Sequence, residues 1–160
     1  MGETLDTWPA GATFVFHINI ANEGAAGASD IELIYQAGEG SEFELLYGRI
    51  VNDDTVNRVV QAFIDTGTSG QNVGQLDSQT IAAGGGMGIP KSPVTGTDAA
   101  ASSTRWIVSG PMRLRMLVAS VADGQDATFG GVLRIKGQSP TRTTVGAGTE
   151  VVTVNMERVV

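Results

Sequence analysis

The sequence predicts an all-β protein, an antiparallel β-sandwich or jelly roll of about eight or nine strands. Three observations predict this class. Alternating apolar and polar runs recur along the chain, and turn-forming residues separate them. Glycine is abundant, with 22 among the 160 residues, and it favours tight turns over helices. No segment has the apolar spacing of an amphipathic helix. A closed barrel is the alternative architecture.

We expect a single β-sandwich domain over residues 13–160, preceded by an extended N-terminal arm over residues 1–12. A chain of 160 residues buries roughly 68–70% of its unfolded surface, which is enough for a core without disulfides or metals. The Trp8-Pro9 step disfavours a helix in the arm, because the residue before proline avoids the α region. Trp8 therefore either covers the edge of the domain's own core or contacts a neighbouring subunit.

Nine alternating segments are predicted as strands, and the stretches between them as loops. The strands are residues 13–20, 30–36, 43–51, 55–65, 78–83, 104–108, 111–121, 129–136 and 150–160. The longer loops are residues 21–29, 66–77, 82–88, 91–103 and 137–149. The side chains of Asn52-Asp53-Asp54 favour a turn, so the strands on either side of it are predicted to pair as a hairpin.

Alternation also assigns faces to the strands. The first strand has Phe14, Phe16, Ile18 and Ile20 on one face. Strand 111–121 has Met112, Leu114, Met116, Val118 and Ser120 on one face and Arg113, Arg115, Leu117 and Ala119 on the other. The last strand, with Val152, Val154 and Met156 on one face, either closes a sheet or pairs with a neighbouring chain. An uncovered edge promotes aggregation, so this strand favours an assembly.

No catalytic, metal-binding or cofactor-binding residue is assigned, and no enzyme is expected. His17, the sole histidine, faces away from the core without a cysteine or carboxylate pair nearby, so it is interpreted as an ordinary strand residue. The chain has no Gly-x-Ser-x-Gly motif to supply a nucleophile for it. Glu42 and Glu44 alternate with Phe43 and Leu45, so they are predicted to face solvent rather than to act as an acid–base pair.

Two further segments are interpreted as turns. Gly84–Gly88 lacks the Gly-Lys-Ser/Thr of a phosphate loop and the spaced glycines of a dinucleotide fingerprint. Asp123–Asp126 could contact calcium, but it lacks the ligand run of an EF-hand. No cofactor is therefore expected.

Composition and charge argue against several partners. The net charge is −7 with only 10 Lys and Arg residues, and Arg105, Arg113, Arg115 and Arg134 are scattered among apolar residues. No nucleic-acid partner is therefore expected. No apolar run approaches the roughly 20 residues of a membrane helix, so no membrane partner is expected either. The lack of cysteine excludes disulfides and thiolate metal sites.

The strands and turns between Phe43 and Pro90 carry a resemblance to a known family. After the apolar strand and the Asn-Asp turn come Arg58-Val59-Val60, Phe63-Ile64-Asp65-Thr66-Gly67 and Thr80-Ile81-Ala82-Ala83-Gly84-Gly85. The strand Arg113–Val121, the turn Val121–Gly124 and the strand Gly131–Arg134 continue the order. Over the greater part of its length the chain thus resembles the β-sandwich virion proteins of tailed bacteriophages. The loop Lys91–Ser103 departs from that family, and no binding residue is carried over.

The resemblance implies a non-enzymatic virion structural protein of the head decoration (cement) or minor capsid type. Most concretely, it implies a protein that binds the outer surface of a phage head and stabilises it. The implied partners are the major capsid protein and copies of the chain itself, in a homotrimer on the capsid surface after synthesis in the host cytoplasm. The alternative is a tail or fibre component or a carbohydrate-binding module. Sugar binding commonly uses exposed aromatic rings, and with aromatic residues at 6% and Trp8 and Trp106 as the only tryptophans, the chain offers little material for a stacking platform.

Deletion of residues 1–12 is expected to leave the fold intact and to weaken binding to the particle, because the arm is predicted to contact neighbours. Circular dichroism of the truncated protein measures the first effect, and co-sedimentation with particles measures the second. An unfolded truncated protein would show that the arm belongs to the core instead.

Overall fold

The computed structural model describes residues 13–23, 27–66, 72–89, 106–138, 140–145 and 149–159. Within these ranges the chain forms eleven strands and no helix. The strands are β1 (Thr13–Glu23), β2 (Ser29–Gln36), β3 (Glu42–Asn52), β4 (Arg58–Asp65), β5 (Asn72–Ile81), β6 (Gly86–Ile89), β7 (Trp106–Ser109), β8 (Arg113–Val121), β9 (Asp126–Lys136), β10 (Thr141–Val145) and β11 (Thr149–Val159).

The strands form two antiparallel sheets packed face to face. Sheet A has the order β11-β1-β9-β3-β6, and β7 pairs with the other end of β3. Sheet B has the order β10-β2-β8-β4-β5. The predicted all-β sandwich is therefore confirmed, with more strands than the eight or nine expected.

The strand pairing is that of a rolled hairpin. β1 pairs with β9, β2 with β8, β3 with β6 and β4 with β5, each antiparallel. Nested pairs of this kind arise when one long hairpin rolls up and alternate pairs enter alternate sheets, which is the arrangement of a jelly roll. β10 and β11 extend the two sheets beside β2 and β1, and β7 lies in the connection between β6 and β8.

The core fills the space between the sheets, because inward and outward residues alternate along each strand. Phe16 and Phe43 of sheet A pack edge-to-face against Tyr35 of sheet B, with ring centroids 5.2 and 6.4 Å apart. Burial of a large apolar side chain stabilises a fold by about 1.5–3 kcal/mol, so this trio contributes strongly to holding the sheets together. Phe16, Ile18 and Ile20 are buried, as predicted for the first strand.

The predicted hairpin across Asn52-Asp53-Asp54 is wrong. β3 lies in sheet A and β4 in sheet B, and each pairs with other strands. Residues 53–57 instead form an arch between the sheets, and the buried Asn52 side chain holds it. The Asn52 Nδ2 donates to the carbonyls of Val56 and Ile81, both at 2.9 Å, and its Oδ1 accepts from the Asp54 amide at 3.0 Å. These side-chain bonds replace the two-residue turn that would keep both strands in one sheet.

The same asparagine fixes the corner turn that leads from β5 to β6. This turn is closed by a hydrogen bond from the Gly85 amide to the Ala82 carbonyl, and Gly84 has a φ of +75°. The Asn52 amide donates to the Gly85 carbonyl, and the Asn52 carbonyl accepts from the Gly84 amide. A type II turn needs a positive φ at its third residue, which glycine adopts without strain.

Asn22 repeats this arrangement at the corner turn that leads from β8 to β9. Its amide donates to the Gln125 carbonyl, its carbonyl accepts from the Gly124 amide, and its Nδ2 donates to the Val121 carbonyl at 2.8 Å. Gly124 has a φ of +80°, close to that of Gly84. Two corners of the roll therefore share one construction. In each, a fully buried asparagine forms hydrogen bonds to a turn. That turn leads into the strand that pairs with the asparagine's own strand.

Three strands lie wholly or mostly in segments that the sequence predicted as loops. β5 begins inside the predicted loop 66–77, β6 begins inside the glycine-rich segment 82–88, and β10 lies inside the predicted loop 137–149. In each case a neighbouring strand supplies the backbone hydrogen bonds, namely β4, β3 and β2 respectively. Local β propensity is low in the glycine-rich and polar parts of β5 and β6, so cross-strand pairing decides their conformation, whereas β10 consists mostly of Thr and Val, which favour strands.

The predicted alternation of strand 111–121 holds through Val118 and then fails. Ser120, predicted to share the inner face, is exposed, whereas Val121 is buried. The register between β2 and β8 shifts at this point, and Ser120 has a φ of 56°. The extra residue of this β-bulge reverses the order of inward and outward side chains.

Asn52→Ala is expected to lower the free energy of unfolding by about 2–4 kcal/mol, since buried backbone groups lose partners worth about 1–3 kcal/mol each. Asn57→Ala is the matched control, because Asn57 is an exposed asparagine of the same arch. Urea unfolding of both variants measures the difference. Equal stabilities would contradict the role assigned to the Asn52 side chain.

Candidate interaction surfaces

The outer face of sheet B carries a connected set of charged side chains. Arg115 on β8 bonds both Glu32 on β2 and Asp65 on β4, and its Nη1 lies 3.1 Å from Asp65 Oδ2. Arg113 reaches the same carboxylate, with Nε at 2.7 Å and Nη2 at 3.0 Å. Arg113 and Asp65 are direct cross-strand partners, an arrangement in which opposite charges stabilise a sheet.

Apolar side chains fill this face around the charges. Arg115 lies between Ile34 and Phe63 in the register, and its guanidinium carbon is 5.6 Å from the centroid of the Phe63 ring. Ile34, Phe63 and Leu117 are buried although they lie outside the main core cluster. Arg113 and Arg115, which look scattered in the sequence, thus belong to one network that satisfies its charges within the chain.

Ion pairs also close one end of the outer face of sheet A. Lys136 Nζ lies 2.6 Å from Glu44 Oε1 and 3.5 Å from Glu42 Oε1, and Arg134 Nη1 lies 3.4 Å from Glu44 Oε2. The hydrogen bond to Glu44 raises the pKa of Lys136. The prediction that Glu44 faces solvent is wrong, since its side chain is only 6% exposed. Its burial follows from the register, because the adjacent strand β9 places both cations beside it. Glu42 is half-buried.

The middle of this face is open. Tyr47 and Arg49 on β3 are exposed there, Tyr47 to 42%. His17 on β1 is also exposed, as predicted, and Gly130 on β9 lies between His17 and Arg49 in the register. Sequence reasoning missed Tyr47 and Arg49 as surface features. Their alternation with the buried residues of β3 is the signal that could have found them.

A polar network occupies the other end of the same face. Asn19 Nδ2 donates to Asp126 Oδ2 at 2.8 Å and to Thr128 Oγ1 at 3.0 Å, and the Thr128 hydroxyl donates to Asp53. Burial raises the pKa of Asp53, the Thr128 hydrogen bond lowers it, and the Asp126 carboxylate raises it further; the net shift is upward. The folded protein therefore disfavours the ionised form of Asp53.

Asp54, the next residue, has the opposite electrostatic environment. Burial raises its pKa, but hydrogen bonds outweigh that effect, and the net shift is downward. The donors are the Ala122 amide at 2.9 Å, the Arg58 Nε at 2.7 Å and the Thr55 amide at 2.6 Å. Ala122 begins the corner turn between β8 and β9. The Asp54 carboxylate therefore ties the arch to that corner.

The remaining sequence candidates do not converge on one site. Asp123 is exposed in the corner turn while Asp126 is bonded to Asn19, so the segment Asp123–Asp126 forms a turn, as predicted. Trp106 on β7 is half-buried and packs against the core. Trp8 lies outside the described residues, as does the predicted loop 91–103.

The described part of the chain contains neither a metal-binding cluster nor a helix that could span a membrane. No group of three or more histidine, aspartate or glutamate side chains is placed to hold a metal ion among those residues. The described residues also contain no helix with the length and apolar character needed to cross a membrane.

The sheets end in strands with one described neighbour each. Among the described strands, β11 pairs only with β1, from Thr13–Val159 at one end to Glu23–Thr149 at the other. Sheet B ends in β10 and β5. The last strand thus completes a sheet of its own chain, one of the two possibilities predicted. An edge strand presents a row of backbone donors and acceptors to which another chain can pair.

Asp54→Asn and Asp53→Asn are expected to change stability in opposite directions at neutral pH. Asp54→Asn should lower the free energy of unfolding by about 2–4 kcal/mol, because buried donors lose a charged acceptor. Asp53→Asn should raise it slightly, because a partly buried charge beside Asp126 is removed. Urea unfolding of both variants gives the two signs, and shifts of the same sign would contradict this electrostatic assignment.

The contribution of the Asp54 carboxylate to the free energy of unfolding should also depend on pH. The Asp54 carboxyl titrates near 3.8 when its environment is ordinary and at lower pH in the folded chain. Its stabilising contribution is therefore fully present well above that value and is lost as pH falls through the lowered folded pKa. The stability difference between wild type and Asp54→Asn should be constant near neutrality and shrink in acid. A difference that grows in acid would reverse the inferred pKa direction.

Comparison with known proteins identifies no relative of this chain. No protein-family model, curated protein or solved structure matches the chain. What the protein does has to be inferred from its own residues and from the fold that they form.

Proposed function

We propose that the protein is a non-enzymatic virion structural protein, specifically a capsid decoration protein that binds the outer surface of a phage head. The observation that carries the proposal is a jelly roll whose long edge strand β11 has one described neighbour. The resemblance of Phe43–Pro90 and the later strands to tailed-phage virion proteins supports the same role. The partners are then the major capsid protein and other copies of this chain.

β11 offers a recognition surface made of backbone. Its 11 residues, at about 3.4 Å each, extend for about 37 Å. A strand from a neighbouring subunit added along that edge would form main-chain hydrogen bonds. It would also cover an edge that promotes uncontrolled aggregation when it stays open. Assembly and protection of the edge are then the same event.

The charged faces give the unit the rigidity that a decoration role needs. Asp65 and Glu44 are each bonded to two cations from a neighbouring strand. A preformed unit loses little conformational entropy when it docks. Many weak contacts repeated by the symmetry of a shell add up, and binding to the assembled shell stabilises it by mass action. A homotrimer at threefold positions, implied by the resemblance, suits this mode.

Co-sedimentation of the purified protein with phage heads that lack it tests the proposal. Binding should saturate at a fixed number of copies per head and raise the temperature at which the heads break. Light scattering should give the mass of a trimer for the free protein. Heads already saturated with the protein are the matched control and should bind no more.

Two results would overturn the head role. If phage heads that lack the protein bind none of it, the proposed head role is wrong. Immunogold label confined to the tail or to a single vertex would replace it with a tail, fibre or connector role.

A further inference from the structure

The open part of the outer face of sheet A combines an aromatic ring, two basic side chains and hydroxyl-binding groups. Its members, here called the Tyr47 strip, are Tyr47, Arg49 and Asp53 on or just after β3, Thr128 on β9, and His17 and Asn19 on β1. The strip follows β3 for about 20 Å and crosses three strands, about 10 Å, at ordinary strand spacings. These dimensions suit a short chain ligand lying on the surface.

Tyr47 provides an apolar platform at one end of the strip. It is 42% exposed and follows an irregularity in the register between β3 and β9. Val132 and Val15, its neighbours across the sheet, are half-buried. A phenol ring buries apolar area while keeping its hydroxyl in water. Such a ring matches the C–H face of a sugar, which is apolar while the rim of the sugar is polar.

Arg49 provides positive charge beside that ring. Arg58, Arg113, Arg115, Arg134 and Lys136 all form ion pairs within the chain. Arg49 is exposed and forms no ion pair with a described residue. Its guanidinium lies against Gly86, where an added Cβ would come within 2.8 Å of Nε. The group is therefore positioned by the neighbouring strand β6, and its planar donors match a carboxylate.

The charge of the side chains in the strip changes from positive to negative along its length. His17 and Arg49 flank Gly130, which has no side chain to cover the sheet between them. The next row contains the half-buried Val51 together with Asn19 and Thr128, and the latter two are already hydrogen-bonded to each other. Beyond them lies Asp53, beside the Asp126 carboxylate. A matching ligand therefore bears an anion near Arg49 and uncharged hydroxyls near Asp53.

We propose that the Tyr47 strip binds an oligosaccharide containing a carboxylated sugar. The sugar ring stacks on Tyr47, its carboxylate pairs with Arg49 and His17, and the hydroxyls of the next unit bond to Asn19, Thr128 and Asp53. Tyrosine and arginine are enriched at protein interfaces as well, but charged groups are depleted at the buried centre of such an interface. The centre of this strip is Gly130 with a charged or polar group on each side. The activity is independent of the decoration role, because it uses a sheet face and not the β11 edge.

The test is a glycan array carrying uronic-acid and sialic-acid oligosaccharides beside neutral ones, followed by calorimetry with the glycan that binds most tightly. Wild-type protein should bind carboxylated glycans, and Tyr47→Ala and Arg49→Gln should each weaken binding at least about tenfold, equivalent to 1.4 kcal/mol. Val59→Ala is the matched control, since Val59 is an exposed apolar residue of sheet B, 38% exposed. Higher salt should weaken wild-type binding and affect Arg49→Gln less.

Three outcomes would overturn the proposal. The first is a wild-type protein that binds no carboxylated glycan. The second is binding that Tyr47→Ala and Arg49→Gln leave unchanged while their circular dichroism is that of the wild type. The third is loss of head binding in these variants without any glycan binding, which would identify the strip as a protein interface. A protein that binds the glycan but not phage heads would keep this inference and remove the decoration role.

Discussion

Two buried asparagine side chains hold the corners on which the jelly roll depends. At each corner the chain leaves sheet B and enters sheet A, and its backbone groups lose their partners in one sheet before gaining them in the other. Asn22 and Asn52 replace those partners through two main-chain bonds and one side-chain bond to the residue before the turn. A buried carbonyl without a partner costs about 1–3 kcal/mol. The roll therefore needs an amide, and not an apolar side chain, at these two interior positions.

Asp54 connects the two corners to each other. Asn52 holds the arch that contains Asp54, and the Asp54 carboxylate accepts from the Ala122 amide of the corner held by Asn22. Arg58 neutralises that carboxylate from the start of β4. One end of the sandwich is thus a continuous polar structure between layers of apolar side chains. Such a network rigidifies a fold most when every member is satisfied, and in this one the buried Asn22 Oδ1 lacks a hydrogen-bond partner among the described residues.

The two outer faces differ in how their charged side chains are paired. On sheet B, Arg113 and Arg115 are bonded to Glu32 and Asp65, and the guanidinium of Arg115 also covers the Phe63 ring. These charged side chains are therefore paired within the chain, while Val59 stays exposed on the same sheet. On sheet A, the ion pairs found among the described side chains lie at the end at Glu44. Under the proposed function, the open face of sheet A and the β11 edge are the surfaces that contact partners.

Local pattern predicted the fold class and most core faces, because alternation of side chains is a property of each strand alone. Phe16, Ile18 and Ile20 were assigned correctly for this reason. The hairpin at Asn52 was wrong because an Asx side chain favours many chain reversals, and only the buried partners at Val56 and Ile81 select an arch. The burial of Glu44 depends on Arg134 and Lys136, which lie some ninety residues away and become neighbours only through the register of β9. The Tyr47 strip was not predicted for the same reason, because its residues lie on three strands that are distant in sequence.

The nesting of the strands also determines when the molecule is able to fold. Thr13 is paired with Arg134 on one side and with Val159 on the other, so β1 meets both neighbours only when nearly the whole chain exists. At about 5–20 residues per second, ribosomal synthesis separates β1 from β11 by roughly 7–30 s. Until β9 has been made, the apolar face of β1 has no partner strand in sheet A, and exposed apolar surface of this kind favours chaperone binding. Contacts so distant in sequence place the protein among slow folders, and sheet A is the last part of it to close.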